Sequence, residues 1–105
     1  MKIYIAGPMS GVEHFNFPNF HKAASQLRNA GHEVVNPAEI CPDTSLGWAE
    51  CMKRDIVRML ECGAIALLDG WERSRGARIE AELAKSLGLR VDLLVCYLEP
   101  VEVSV

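Results

Sequence analysis

Residues 63–88 read GAIALLDGWERSRGARIEAELAKSLG. The opening run, Gly63 to Leu68, carries no polar side chain, which marks a strand buried on both faces rather than one with a wet side. Asp69 and Gly70 stop it, and a polar loop runs on to Arg75. From Gly76 to Leu87 apolar residues return at helical spacing, and Gly88 ends the run. A buried strand, a loop and an amphipathic helix form the repeating unit of a parallel α/β sheet.

The same unit extends to both sides. Lys2 to Ala6 is a short strand closed by Gly7-Pro8. Asn16 is placed to cap a helix with Pro18 in its first turn, and Phe17, Phe20, Ala23, Ala24, Leu27 and Ala30 share one face before Gly31. Glu33 to Val35 is a brief strand stopped by Asn36-Pro37, and a polar loop follows through Pro42 and Gly47. A second helix runs from near Trp48 to about Glu61, with Trp48, Met52, Ile56, Met59 and Leu60 on its apolar arc. Leu89 to Tyr97 reads as the last strand, and the tail after Pro100 is a candidate edge strand. The expectation is one α/β domain over 1–105. It is a three-layer sandwich with a parallel, flavodoxin-like or Rossmann-like sheet of four or five strands, right-handed crossovers and helices on both faces.

Composition narrows the function. The chain has 105 residues, half of them apolar, and a net charge of −3, which fits a single globular domain. The acidic balance speaks against nucleic acid as a partner but leaves room for a small anion on backbone N–H groups and a few arginines. Of the four cysteines, Cys41, Cys51, Cys62 and Cys96, none forms a C-x-x-C pair and none has a histidine at ligand spacing, so no metal site is expected. Three of them read as small core residues. No signal segment or membrane span is visible, so the expectation is a soluble protein of the reducing cytoplasm.

Ligands of such sheets sit beyond the carboxyl ends of the strands. The candidate binding segments are therefore Gly7 to Phe15 (Gly7, Met9, Ser10 and Gly11 among them), Asn36 to Gly47, and Asp69 to Arg75. Glu80 supplies the sharpest clue. At about 100° per residue from Ile79, Leu83 falls near 40°, Leu87 near 80°, Ala84 near 140°, Ala77 near 160° and Ala81 near 200°. Glu80 falls near 100°, inside that apolar arc, while Arg78, Glu82, Lys85 and Ser86 lie opposite. A carboxylate stripped of water there suits a nucleophile or base, whereas the helix dipole alone would accept one on the outer face.

Asp55 borders the apolar arc of the second helix, with a salt bridge to Arg54 or Arg58 as the plainer reading. Tyr4 sits in a buried strand, as a core tyrosine or a site residue. Ser74, Arg75 and Gly76 open the third helix, either to hold an anion or with Ser74 as an ordinary cap. Trp71 is a loop anchor or a stacking surface. Gly7 and Gly11 form a G-x-x-x-G without the lysine of a phosphate loop. His14, His21 and His32 have no partner in sequence and read as structural or solvated.

Taken together, KIYIAGPMSG, NFPNFHKAASQLRNAGHEVVNPAE, the helix with Arg54-Asp55, and GWERSRGARIEAELAKSLG resemble the nucleoside 2-deoxyribosyltransferase-like superfamily, in its short phage and bacterial branch. The resemblance spans about the first 95 residues. It implies Glu80 as the nucleophile on the anomeric carbon, Tyr4 as the residue orienting it, and Asp55 as a group holding sugar or assisting at the base. Ser74 matches a phosphate-contacting serine of nucleoside 5′-monophosphate N-glycosidases, where the transferases carry aspartate. The implied activity is hydrolysis of such a monophosphate, with base exchange or non-catalytic nucleotide sensing as alternatives. Gly76-Ala77-Arg78-Ile79-Glu80 also shares the spacing of the cytokinin-type phosphoribohydrolase signature, without its preceding P-G-G. The glycosidases' first-loop arginine is Ser10 here, which turns phosphate binding over to Arg73, Arg75 or Arg78, and their C-terminal segment has no counterpart after Pro100. No cofactor is implied, and the expected assembly is a homodimer or larger homo-oligomer.

Overall fold

The computed structural model describes residues 1–43 and 45–98. Four strands form one parallel sheet: β1 (Lys2–Ala6), β2 (Glu33–Val35), β3 (Ala64–Leu67) and β4 (Arg90–Leu93), in the order β2-β1-β3-β4. The fold is the expected α/β sandwich. β1 pairs with β2 through Tyr4 opposite Val35, and with β3 through Tyr4 opposite Ile65. The order reverses between β1 and β3, so the crevice of this sheet opens beyond Ala6 and Leu67.

Helix α1 (Phe17–Asn29) covers one face with α5 (Val95–Leu98), and α4 (Arg75–Ser86) covers the other, beside α3 (Trp48–Met59). A one-turn α2 (Pro37–Ile40) follows β2. On the first face Phe20, Ala23, Ala24 and Leu27 pack on Ile3 and Ile5. On the second, Met59, Ala77, Ala81 and Ala84 pack on Tyr4, Ala6, Ile65 and Leu67. β3 is buried throughout and β1 from Ile3 onward, as their lack of alternation requires.

Four local expectations are corrected. The run Leu89–Tyr97 is not one strand, because β4 stops at Leu93 and the chain turns into α5. That turn lets Tyr97 bury its ring and donate its hydroxyl proton to the Ile65 carbonyl at 2.8 Å. The loop after Asn36 contains α2, whose first turn is fixed by Asn36 accepting from the Ala38 N–H. Asn16 does not cap α1: its backbone is left-handed, and its side chain donates to the Pro8 carbonyl while accepting from Asn19. Finally, Cys41 and Cys51 are not separate core residues but form a disulfide, with Cα atoms 5.8 Å apart. Cys62 is buried and unpaired, and Cys96 is exposed. The candidate edge strand after Pro100 lies outside the described residues. Among those described, no helix is long and apolar enough to cross a membrane.

Candidate active site

Three of the ionisable side chains singled out in the sequence, Tyr4, Asp55 and Glu80, line one cleft beside β1. Tyr4, at the middle of β1, is fully buried and donates its hydroxyl proton to Glu80 Oε2 at 2.5 Å. Glu80 projects from the second turn of α4 and is only 5% exposed. Ser74 begins that helix, accepting the Ala77 N–H at 3.2 Å, and so fixes which residues of α4 face the sheet. The buried arc is formed by Gly76, Ala77, Glu80, Ala81 and Ala84. Its small side chains bring α4 close to β1 and leave room for the carboxylate, whereas Ile79 and Leu87 stay largely exposed.

Three effects compete at Glu80. Burial raises its pKa, the Tyr4 hydrogen bond lowers it, and the nearby Asp55 raises it again. Burial wins, and the carboxyl is pushed up to about 8. Tyr4 is held well above the usual phenol range, first by its own burial and then by Glu80, so it remains a proton donor.

Asp55 lies on the third turn of α3 and is 7% exposed. The salt bridges that would have explained it go elsewhere, since Arg54 pairs with Glu50 and Arg58 with Glu61. Its Oδ1 is buried without a hydrogen-bond partner among the described residues. Desolvation pushes this carboxyl up to about 7. A buried acceptor with no partner costs stability and is accounted for when a ligand supplies the missing donor.

Tyr4, Asp55 and Glu80 line one cleft of about 220 Å³. Its apolar wall includes Phe15, Phe17, Phe20, Trp48 and Met52. Phe15 reaches it from a loop in which His14, Phe15 and Asn16 all have positive φ, near 53°, 54° and 60°. Side chains pay for that conformation, and the Asn16 bonds to Pro8 and Asn19 hold the loop in it. Asp43 sits in the lining with its carboxylate kept below the usual range by hydrogen bonds from Ser45. A second hollow, of about 400 Å³, is larger but holds no buried ionisable side chain, so chemistry favours the first.

Of the residues singled out in the sequence, Tyr4, Gly7, Met9, Ser10, Asp55, Ser74, Gly76 and Glu80 line the cleft. Gly11, Asp69, Trp71 and Arg75 do not. Asp69 lines the second hollow, with Asn16 and Lys22. Trp71 packs at the edge of the core on the α4 face, as a loop anchor. Arg75 lies over the Trp48 ring at 4.5 Å from its centroid. Gly7 is explained by packing, because a Cβ there would stand 2.8 Å from Leu68 Cβ. Gly11 has φ +79° in open space and serves a turn. Phe15 and Asp43 fall inside the expected binding segments Gly7 to Phe15 and Asn36 to Gly47 without being singled out there. Trp48 is read in sequence only as part of the apolar arc of its helix, because an aromatic facing a cleft has the same period as one facing a core. Among the described residues no cluster of His, Cys, Asp and Glu could hold a metal ion.

Residues 1–93 match the model of a domain of unknown function, DUF4406. No curated protein matches the chain. Among solved structures, a 2-deoxyribosyltransferase of the psychrotolerant bacterium Bacillus psychrosaccharolyticus, described as a biocatalyst for nucleoside synthesis, is similar. Its TM-score is 0.64 and its sequence identity 27%, over 89% of this chain and 71% of that one. The fold is thus nucleoside 2-deoxyribosyltransferase-like.

Proposed function

We propose that this chain, which belongs to the DUF4406 family, breaks the bond between a nucleobase and a sugar through a glycosyl intermediate on Glu80. The observation that carries the reading is the buried Tyr4–Glu80 pair, set in a cleft at the reversal point of the sheet. The likeness to a 2-deoxyribosyltransferase supports a nucleoside-processing glycosyl transfer.

In the first step an oxygen of ionised Glu80 bonds to the anomeric carbon as the carbon–nitrogen bond to the base breaks. Tyr4 holds the carboxylate in line. Protonated Asp55 gives its proton to the departing base, which leaves neutral. In the second step water bonds to the anomeric carbon from the vacated side, Asp55 takes back a proton, and Glu80 is released. Two displacements retain configuration. A second base in place of water turns hydrolysis into exchange.

A free nucleoside or deoxynucleoside suits the cleft best. Among the described residues its charged or chargeable side chains are Tyr4, Asp43, Asp55 and Glu80, with no lysine or arginine, and an anionic phosphate would meet like charge there. A second reading, a nucleoside 5′-monophosphate, is favoured by Ser74, which lines the cleft at the start of α4 beside Arg75. Incubation with matched nucleosides and 5′-monophosphates, followed by chromatography for free base, tests both. No free base from any of them overturns the proposal. A monophosphate preference of about a hundredfold, eroded by Ser74→Ala and Arg75→Ala, selects the second reading.

A further inference from the structure

The disulfide Cys41–Cys51 joins the residue after α2 to the first turn of α3. It closes a ring over residues 41–51, and much of that ring is cleft wall: Asp43, Leu46, Gly47 and Trp48, with both cysteines, line the site. The next turns of α3 add Met52 and Asp55.

Helix α3 has little else to hold it. Of its twelve residues only Asp55 and Met59 are buried. Among the described residues its first half is tied to the molecule at two places. One is α4, where Arg75 stacks on Trp48 and Gly76 allows Met52 Sδ to approach within 3.1 Å of where its Cβ would be. The other is the disulfide to Cys41, a buried residue behind α2. Cutting the second tie leaves the segment that carries Asp55 held at its front end by one aromatic stack and one thioether contact. Segments with few buried contacts open at low free-energy cost.

We infer that Cys41–Cys51 is a thiol–disulfide exchange site that sets the order of the cleft wall, with a dithiol as the reductant and a small-molecule disulfide as the oxidant. Cys51 is the more exposed residue of the two, so an incoming thiolate bonds to Cys51 Sγ and the Cys41 sulfur leaves and takes up a proton. The second thiol of the reductant then displaces Cys51. The chain ends with two thiols, two electrons and two protons richer, and the reductant ends as its own disulfide. A small-molecule disulfide reverses the exchange. The oxidised chain holds Trp48, Met52 and Asp55 in place against the substrate, and the reduced chain does not. The catalytic consequence rests on the function proposed above, whereas the ordering of α3 does not.

The test uses the full chain incubated with oxidised glutathione or with dithiothreitol. Alkylation in denaturant, mapped by residue, should leave Cys41 and Cys51 unmodified after oxidation and should add four groups after reduction. Hydrogen exchange followed by mass spectrometry should show residues 46–55 exchanging at least about tenfold faster in the reduced chain, while β1 and β3 are unchanged. The KM for a nucleoside that is cleaved should rise about fivefold or more on reduction. Cys51→Ser should exchange like the reduced wild type in either buffer. Four alkyl groups on the oxidised chain, or identical exchange in the two states, overturns the inference. If neither state releases base from any nucleoside, the proposed function fails and the exchange data still decide whether the disulfide orders α3. If exchange differs but KM does not, the site is structural and its role toward substrate is overturned.

Discussion

At the scale of single residues, the cleft is built around two carboxyl groups whose protons are retained to unusually high pH. In the proposed mechanism Glu80 has to be ionised to attack and Asp55 protonated to assist the leaving base, while their values stand at about 8 and about 7. The active pairing is therefore a minor one in the free protein, and kcat/KM should follow a bell with its maximum between those values, assigned to the pair rather than to either residue. Asp55→Asn should lower kcat by about 10²–10⁴ and remove the alkaline limb. Glu80→Gln should lower base release by at least about a thousandfold with the circular-dichroism spectrum unchanged, and near-wild-type turnover by this variant would take the nucleophile role from Glu80. Stability carries the same signature. Both groups are raised on folding, so the folded state holds more protons than the unfolded one from about pH 4 to about pH 8, and stability falls as pH rises across that window. Glu80→Gln removes the buried charge, so its Tm should exceed the wild type's at pH 8 by several degrees, with little difference at pH 4. A wild-type Tm that climbs between pH 5 and 8 would contradict the burial argument.

At the scale of elements, close packing at the reversal point leaves no room where β1 leads into the cleft. Gly7→Ala places a Cβ 2.8 Å from Leu68 Cβ, which no rotamer change relieves, and should cost about 1–3 kcal/mol in urea denaturation. Leu68→Ala in the same chain should give no rescue, because it keeps the clashing atom. The bounds of β1, β2, β3 and α4 were legible in sequence because Gly, Pro and Asn punctuate apolar runs there. Where an apolar run lacks punctuation, as in Leu93 to Leu98, it fits strand or helix alike, and only the Tyr97 hydroxyl on Ile65 decides it. Helix α2 is one turn long and shows no period, although Asn36-Pro37 is the signature of a cap followed by a first helical residue. Glu80 was legible because a lone acid interrupts an apolar arc. The disulfide was not, since two cysteines ten positions apart in a loop and a helix carry no spacing rule. Asp69, Trp71 and Arg75 were read as site residues because their loop leaves the correct end of the sheet. The 3₁₀ turn Trp71–Arg73 folds it back so that from this stretch Ser74, Gly76, Ala77 and Glu80 face the cleft while Arg75 lies over Trp48.

At the scale of the whole molecule, the outer face of α3 and α4 is unfinished. Gly76 lies against Met52 and Trp48, so the side of α4 near Gly76 faces α3. At about 100° per residue, Ile79, Leu83 and Leu87 continue that side, and Met52, Ile56 and Leu60 form the matching stripe on α3. The two stripes make an apolar seam that solvent still reaches: Leu60 is 50% and Leu87 55% exposed, with Val57 beside them at 62%. A second copy turned about a twofold axis would lay its own seam into this one, each chain covering what the other exposes, which is the economical way to close such a face. The expected outcome is a dimer at micromolar concentration, sedimenting at twice the 11.6 kDa of the chain. Leu60→Asp together with Leu87→Asp should dissociate it by burying unpaired charge at the seam, without disturbing the cleft residues. Because α3 would then lose a neighbour as well as its apolar cover, the monomeric variant should also show faster hydrogen exchange over residues 48–60 than the wild type. A wild-type chain that sediments only at 11.6 kDa in that range would mean the seam is left open to water, and α3 would depend on Cys41–Cys51 and α4 alone.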